Sequence, residues 1–271
     1  LALKDEMHDV AFVLFGKKNL ILHELRNFPD INVKDLTIID CPEVIEMNEH
    51  AVQALKNKPK SSINIGLLHL ANQQIDAFAS AGNTGAIFAS SYYALKPIPG
   101  VLRPCISAIL PKESGGITIL LDIGANADCK PEIMCQFGQL GSLFAKHVYN
   151  IINPKIALLN LGSEKSKGNL LAQKSYKIMT ETKDYNFVGN IEGSDLFDSE
   201  VDVIVCDGFT GNIVLKQAES FYNLLKKRNI QDKYFERLNY ENYGGTPILG
   251  LSKTVIIGHG ISNEIAIKNM I

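Results

Sequence analysis

VDVIVCDGFTGNIVLK, residues 201–216, is the stretch that decides how this chain folds. Its β-branched run, Val203–Val205, indicates a buried strand, and from Asn212 onward apolar residues recur at helical spacing. A strand, a glycine turn and a helix in this order can bind an anion, because the free N–H groups and the dipole of the helix start favour phosphate. The turn supplies Gly208, Thr210 and Gly211 as candidate phosphate ligands, with Asp207 beside them as a candidate substrate contact.

The same device occurs twice earlier in the chain. Residues 75–86 read IDAFASAGNTGA, and residues 117–128 read ITILLDIGANAD. In a parallel sheet such turns gather at the carboxyl ends of the strands, along one edge, where ligands bind. Glycine also serves many helix–strand junctions that bind nothing, so one such turn alone is a weak signal. The two turns add the candidate phosphate ligands Gly82, Asn83, Thr84, Gly85, Gly124 and Asn126.

Composition narrows the class of protein. A chain of 271 residues can form one large α/β domain or two smaller ones, and 46% apolar residues is ordinary globular usage. The net charge of -2 gives no electrostatic reason to expect a nucleic-acid partner. Five scattered cysteines argue against a disulfide framework and for a reducing compartment. No apolar run reaches the roughly 18 residues of a membrane span. The chain starts at Leu1 without Met, which we interpret as an internal start.

Predicted strands alternate with predicted helices, which indicates a mostly parallel α/β sheet with crossovers. The segment PKESGG, residues 111–116, predicts a hairpin and therefore an antiparallel piece of the sheet. We expect strands at residues 10–15, 36–39, 75–80, 106–110, 117–121, 155–161, 187–191, 203–205 and 254–257. We expect helices at residues 19–26, 44–55 and 63–70, after the glycine turn at 82–85, and from Pro131, Leu170, Asn212 and residues 262–263 onward.

The helix that begins at Pro131 contains two glycines. Gly138 and Gly141 either allow close packing of the helix within the chain or form a dimer contact. The apolar residues predict a buried face made of Ile133, Phe137, Leu140, Phe144 and Val148.

Three charged or titratable residues stand at irregular positions. Arg103 lies in the proline-rich segment 97–104, where a fixed guanidinium suits phosphate or carboxylate, although a structural ion pair fits as well. Lys167 lies between a strand end and a helix start, on the predicted edge, and is alternatively a surface lysine. His259 lies between two glycines at a strand end and is the best general acid or base by position, although a structural role is equally compatible.

A set of segments together resembles the bacterial phosphate acyltransferase family, in the family's order and from about Cys41 onward. The segments are SAGNTGA (80–86), RP (103–104), LLDIGANADCKPE (120–132), NPKIALLNLGSEKSKGN (153–169), GNIEG (189–193), DVIVCDGFTGN (202–212), NYGG (242–245) and GHG (258–260).

The resemblance implies a reaction, a fold and partners. An acyl group passes from acyl carrier protein to inorganic phosphate and gives acyl phosphate for phospholipid and phosphatidic acid synthesis, with no cofactor and no metal. The fold is a three-layer αβα arrangement like that of isocitrate and isopropylmalate dehydrogenases, as one domain over residues 1–271 with a smaller subdomain around 97–155. The protein is a cytoplasmic homodimer that associates peripherally with the inner face of the membrane, where it meets a glycerol-phosphate acyltransferase.

The chain departs from the family pattern in two places. The family's first strand and its glycine-rich turn are absent, and the segment 229–241 is shorter than the family's helical excursion there. The second departure bears on membrane or carrier-protein contact more than on chemistry.

The positions of three residues within these motifs lead to hypotheses about their roles. Lys167 supplies charge to phosphate, Asn212 donates to phosphate or to the oxyanion, and His259 acts as acid or base or orients the phosphate. A nucleophilic Cys206 is the competing mechanism. Competing functions are a phosphate acyltransferase that uses coenzyme A thioesters, a nucleotide-dependent dehydrogenase, and a non-catalytic membrane scaffold for lipid enzymes. The turns do not spell GxGxxG, which argues against the dehydrogenase.

Overall fold

A computed structural model describes residues 7, 9–29 and 31–271, with the backbone alone at residue 35. The expectation about the chain start at Leu1 lies outside these residues. Within them the strands are β1 (Val13–Gly16), β2 (Thr37–Asp40), β3 (Ala77–Ser80), β4 (Cys105–Pro111), β5 (Ile117–Leu121), β6 (Lys155–Leu159), β7 (Asn186–Ile191), β8 (Val203–Val205), β9 (Gly245–Leu249) and β10 (Thr254–Gly258). The helices are α1 (Lys18–Leu25), α2 (Ala51–Asn57), α3 (Ser62–Ala71), α4 (Thr84–Leu95), α5 (Pro131–Val148), α6 (Leu170–Glu181), α7 (Gly208–Lys227) and α8 (Glu264–Met270).

Eight of these strands form one mixed sheet in the order β3-β10-β9-β4-β5-β8-β6-β7, and β1 and β2 form a parallel pair. Of the described pairings in the large sheet, four are parallel and three are antiparallel. The antiparallel hairpin of β4 and β5 is confirmed. The mostly parallel α/β class is therefore confirmed.

The direction of the strands differs from the expectation of a single edge. β3 and β10 run one way, while β5, β8, β6 and β7 run the other way, because β9, β4 and β5 are each antiparallel to the strand before them. The register nevertheless brings the two sets of carboxyl ends together. Leu121 ends β5 and pairs with Ser107 of β4, and the same row continues through Pro247 of β9 and Ile256 of β10 to Ala79 of β3. The turn after β3 and the turn after β5 thus lie at the same level of the sheet, with β10, β9 and β4 between them, and they are reached from opposite directions.

Helices cover both faces of the sheet. Ile119 and Leu121 of β5 belong to a buried cluster with Phe137 of α5 and further residues of α6. Leu120 points to the other face and packs in a second cluster with Val214 of α7. Because neighbouring residues of one strand serve two cores, the architecture is three-layered, as predicted.

The glycines of α5 serve packing within the chain. A Cβ at Gly141 would lie 2.5 Å from a methyl carbon of Val203, and one at Gly138 would lie 2.8 Å from the ring of Tyr185. Of the predicted face, Phe137 is buried and Ile133, Leu140 and Phe144 are partly buried against the same cluster, so the helix is only slightly rotated from the predicted orientation. Val148 is 56% exposed, and the buried residues are Met134, Phe137, Gly138, Gly141 and Ala145.

Two elements differ from the sequence prediction. The predicted helix at 44–55 begins only at Ala51, because the Asn83 amide donates to the carbonyls of Glu46, Met47 and Glu49 and holds the preceding turn open. Strand β9 was not predicted, since glycine and Pro247 weaken its strand signal.

The segment 97–155 contributes β4, β5 and α5 to the middle of the sheet and its cover. Its division from the rest of the chain stays a prediction. Across the described residues, no helix combines the length and the apolarity that a bilayer crossing requires.

Candidate active site

Asp122 connects the turn after β5 to its neighbours. Its side chain is fully buried and accepts hydrogen bonds from the N–H groups of Ile106, Ala125 and Asn126, and from the Asn126 amide at 3.0 Å. Burial raises the pKa of Asp122, although these hydrogen bonds oppose the rise. The Asn126 amide also donates to the carbonyl of Pro104, so this one carboxyl group fixes the start of β4 and the β5 turn together.

The start of α7 is capped by its own carboxylate. Oδ1 of Asp207 accepts from the Thr210 N–H at 2.8 Å, and Oδ2 accepts from the Thr210 hydroxyl at 2.9 Å. This cap places a negative charge where the sequence predicts an anion. The predicted anion-binding groups at this helix end are therefore occupied within the chain.

The two glycines at this helix start allow close approach to the β5 turn. A Cβ at Gly211 would lie 1.9 Å from the carbonyl oxygen of Asp122, and one at Gly208 would lie 2.8 Å from the Asn126 carbonyl oxygen. The Gly208 N–H donates to the Asn126 carbonyl at 2.8 Å, and the Gly211 N–H donates to the Asp207 carbonyl at 2.9 Å. Two of the three predicted turns are thereby locked together.

One face of α7 carries three polar side chains toward the row of strand ends. Asn212, Lys216 and Glu219 follow at i, i+4 and i+7, which places them on one side of the helix. The Asn212 amide donates to the carbonyl of Ile123 at 3.2 Å. The same side chain lies next to Gly124, where it would contact a Cβ. Its carbonyl oxygen and its second N–H have no partner within the described residues.

His259, at the end of β10, meets the same face of α7. Its Nε2 lies 3.1 Å from the Lys216 ammonium nitrogen and 3.6 Å from the Glu219 carboxylate, and its ring packs on Tyr240. Burial alone would raise the pKa of Glu219, but the hydrogen bonds and charges of His259 and Lys216 outweigh it and lower that pKa. Helix α7 thus links the strand ends that arrive from opposite directions.

The loop after β6 borders a cavity of about 390 Å³ whose lining includes Asn160, Gly168, Asp207 and Thr210. Lys167 precedes Gly168 in this loop but is not itself one of the lining residues. The Asn160 amide donates to the Lys167 carbonyl at 3.2 Å, and Gly168 has φ +95°, which lets the loop turn into α6. The Lys167 ammonium group is exposed and forms no ion pair with any described residue. The neutral Asn169 caps α6, so this helix start carries no opposing charge.

The turn after β3 lies beside the His259 loop. Gly258 approaches Ala81, since a Cβ there would lie 3.3 Å from the Ala81 Cβ. Asn83 is buried and uses its amide on the 46–49 turn and its oxygen on the Ala86 N–H. Thr84 and Gly85 are exposed in the first turn of α4, where their N–H groups have no partner in the described chain.

Arg103 is exposed next to Pro104, whose carbonyl is bound by Asn126. Its guanidinium group forms no ion pair with the residues that the structure describes. The structural ion pair that the sequence left open for Arg103 is thus not formed there.

Cys206 is a poor nucleophile. Its side chain is buried, its Sγ faces the Asp122 carbonyl, and burial together with the charges of Asp207 and Asp122 holds the pKa of the thiol well above its usual value. This environment argues against the competing cysteine mechanism.

Three residues of the site were not singled out from the sequence. Lys216 and Glu219 could have been found by their helical spacing from Asn212, but their contact with His259 depends on tertiary structure. Asp122 is recognisable only as the last residue before a turn.

The fold defines the class of protein first. The structure is similar to a phosphotransacetylase from Streptococcus pyogenes, with a TM-score of 0.69 and 19% identity over 99% of this chain and 86% of that chain. It is also similar to a branched-chain phosphotransacylase from Enterococcus faecalis V583, with a TM-score of 0.56 and 13% identity over 96% of both chains. At such identities the likeness defines a shared α/β fold.

The sequence then places the chain more closely. The family model described as fatty acid synthesis protein matches residues 1–271, and the chain belongs to this family. A phosphate acyltransferase of Halothermothrix orenii is 40% identical over 289 residues, which cover 98% of this chain and 85% of the relative. A phosphate acyltransferase of Dictyoglomus thermophilum is 40% identical over 284 residues, or 96% of this chain and 83% of the relative. The predicted family and the enzyme class of acyltransferase are confirmed.

Proposed function

We propose that this enzyme transfers an acyl group from acyl carrier protein to inorganic phosphate and releases acyl phosphate and the free carrier. The product would feed phosphatidic acid synthesis. The observation that carries the proposal is the polar face of α7, which presents Asn212 to the β5 turn and contacts His259 at the end of β10. One rigid element thereby holds a hydrogen-bond donor and a proton carrier on either side of the row of strand ends.

In the proposed step, a phosphate oxygen attacks the thioester carbonyl carbon and forms the new C–O bond. The C–S bond then breaks, and the sulfur leaves as the carrier thiol with a proton from His259, which is replaced by the proton that the attacking hydrogen phosphate loses. Phosphate is already partly dianionic at neutral pH, since its second pKa is about 6, so it needs positioning more than deprotonation. Asn212 donates to the oxyanion that forms at the carbonyl, and Lys167 neutralises the phosphate charge.

The predicted ligands of the substrate fall into two groups: those whose hydrogen-bond donors have no partner among the described residues, and those whose polar groups are already bonded within the chain. The open N–H group of Gly124, beside Asn212, stays a proposed phosphate donor, with Arg103 as a further cation at the substrate. The N–H groups of Thr84 and Gly85 are also open, but β10, β9 and β4 separate their turn from that of Gly124, and no contact in the described residues joins the two turns. The others have polar groups bonded within the chain, and we propose that they shape the turns: Gly82, Asn83, Asn126, Asp207, Gly208, Thr210 and Gly211.

The location and assembly state belong to the same proposal. We propose a cytoplasmic homodimer at the inner face of the membrane, where a glycerol-phosphate acyltransferase would take up the unstable acyl phosphate. Cross-linking of the native protein, followed by mass analysis, tests the dimer. Flotation with anionic vesicles tests the membrane contact.

Turnover on matched thioesters tests the reaction itself. The protein is given palmitoyl carrier protein and palmitoyl coenzyme A at equal concentrations with inorganic phosphate. We expect the carrier thioester to be used at least tenfold better by kcat/KM. Preference for the coenzyme A thioester would favour that competing acyltransferase, and membrane binding without turnover on either would favour the scaffold.

A further inference from the structure

The loop that carries His259 has little packing of its own. Gly258 and Gly260 flank the histidine and have no side chains, and Gly260 and Ile261 are exposed, Ile261 to 70%. Within the loop, the hydroxyl and the N–H group of Ser262 both donate to the His259 carbonyl. The orientation of the imidazole ring therefore depends on contacts from other elements.

Tyr240 contacts this loop through both its ring and its hydroxyl group. The tyrosine ring lies on the imidazole ring of His259, with centroids 4.9 Å apart and planes inclined by 35°. The Tyr240 hydroxyl donates to the Ile261 carbonyl at 3.1 Å, and the Ile261 N–H lies 3.4 Å from Nδ1 of His259. Burial and the charges of Glu241 and Glu219 raise the pKa of Tyr240, so its hydroxyl keeps the proton that it donates.

Glu241 holds the other end of the same loop. One of its carboxylate oxygens accepts from the Asn263 amide at 2.8 Å, and Asn263 is the residue that caps the start of α8. The Glu241 carbonyl accepts from the Asn269 amide at 2.7 Å, near the end of that helix. The neighbouring residues Tyr240 and Glu241 are thus bonded to both ends of the loop 259–263 and to the helix that follows it.

These contacts restrict the direction in which the imidazole can point. Its Nε2 lies 3.1 Å from the Lys216 ammonium nitrogen and 3.6 Å from the Glu219 carboxylate of α7. Because Tyr240 covers the ring face and a backbone N–H faces Nδ1, the ring cannot turn away from α7 without losing both contacts.

We propose that Tyr240 and Glu241 are positioning residues, which hold the loop 259–263 so that Nε2 of His259 stays directed at α7. This role rests on the proposed function, in which His259 gives a proton to the departing sulfur. A small displacement of a catalytic group lowers the rate of the chemical step while substrate binding is kept.

Graded variants of Tyr240 test this role through the split between kcat and KM. Tyr240→Leu removes the ring and the hydroxyl, and we expect kcat for acyl transfer to fall about tenfold with KM within about twofold. Tyr240→Phe keeps the ring, so a loss of only about threefold is expected. The matched control is Tyr93→Leu, which removes an exposed ring that contacts Tyr92 and should leave kcat unchanged.

Variants of Glu241 test the other end of the loop without altering either ring. Glu241→Ala removes the acceptor of the Asn263 amide and should lower kcat about threefold. Glu241→Gln keeps an acceptor oxygen at this position and should retain wild-type kcat.

Modification of His259 by diethyl pyrocarbonate, followed by mass spectrometry, measures the freedom of the ring whether or not acyl phosphate forms. We expect modification about threefold or more faster in Glu241→Ala than in the wild-type protein and in Glu241→Gln. If the wild-type protein transfers no acyl group but shows this difference, the positioning role is supported and the proposed function fails. An unchanged kcat in folded Tyr240→Leu, an equal loss in Tyr93→Leu, or equal modification rates in Glu241→Ala and the wild-type protein would overturn the role.

Discussion

The ammonium nitrogen of Lys216 lies 3.1 Å from Nε2 of His259. Lys216 belongs to α7, which follows β8, and His259 belongs to the loop that follows β10. Glu219 completes the group, at 2.7 Å from the same ammonium nitrogen. The three residues come from segments about forty positions apart, and their contact joins the two sets of strand ends. From this geometry we infer that Glu219 positions His259.

Removal of the Glu219 charge should slow the chemical step. We expect Glu219→Gln to lower kcat about tenfold with KM nearly unchanged, because Lys216 and His259 lose the carboxylate that aligns them. Steady-state kinetics measure the split between kcat and KM. Glu219→Asp should recover part of the loss, and Glu181→Gln, the same change at an exposed position, should have no effect. A drop in thermal stability with unchanged kcat would show a purely structural role.

Lys167 and Asn212 should be required for rate. Loss of one preorganised donor typically costs about 10²–10³ in rate, so Lys167→Ala and Asn212→Ala should each lose that much activity with folding intact. The comparison variant is Lys183→Ala, which removes an exposed ammonium group elsewhere and should keep wild-type activity. A loss below about threefold would remove that residue from the mechanism, since it is far smaller than a preorganised donor contributes.

The buried carboxyl group of Asp122 should matter for stability. Asp122→Asn replaces an acceptor by an amide donor that faces existing N–H groups, so we expect a loss of about 1–3 kcal/mol in the free energy of unfolding. Urea denaturation measures it. Asp128→Asn, an exposed change six residues away, should stay within about 0.5 kcal/mol. Equal effects of the two changes would contradict the role of Asp122 as a structural connection.

The glycine at the start of α7 should tolerate no side chain. Gly211→Ala puts a Cβ 1.9 Å from the Asp122 carbonyl oxygen, and we expect it to destabilise the fold by about 3 kcal/mol or more. Gly193→Ala is the matched change, because no heavy atom lies within 4 Å of its Cβ position. Thermal denaturation of both variants decides the matter, and a normal melting temperature for Gly211→Ala would mean that α7 and the β5 turn are not locked together.

Local patterns predicted most of the fold, and long-range contacts account for the rest. Strand and helix periodicity located nearly every element, but the opposite directions of the two strand groups depend on pairings of β9 and β4 that no local pattern encodes. The turn before Ala51 is held by an amide more than thirty residues away, at Asn83. In the site, position in the sequence indicated Asn212 and His259, whereas the Asp207 cap shows that a glycine turn before a helix need not be open to an anion.

The most direct test of the central claim is the phosphate dependence of thiol release from palmitoyl carrier protein. The protein is incubated with this thioester with and without inorganic phosphate, and free carrier thiol and acyl phosphate are measured together. We predict that thiol appears only with phosphate and in equal amount with acyl phosphate. Thiol release without phosphate would indicate a thioesterase, and its absence from folded protein in the presence of phosphate would contradict acyl transfer to phosphate from the carrier.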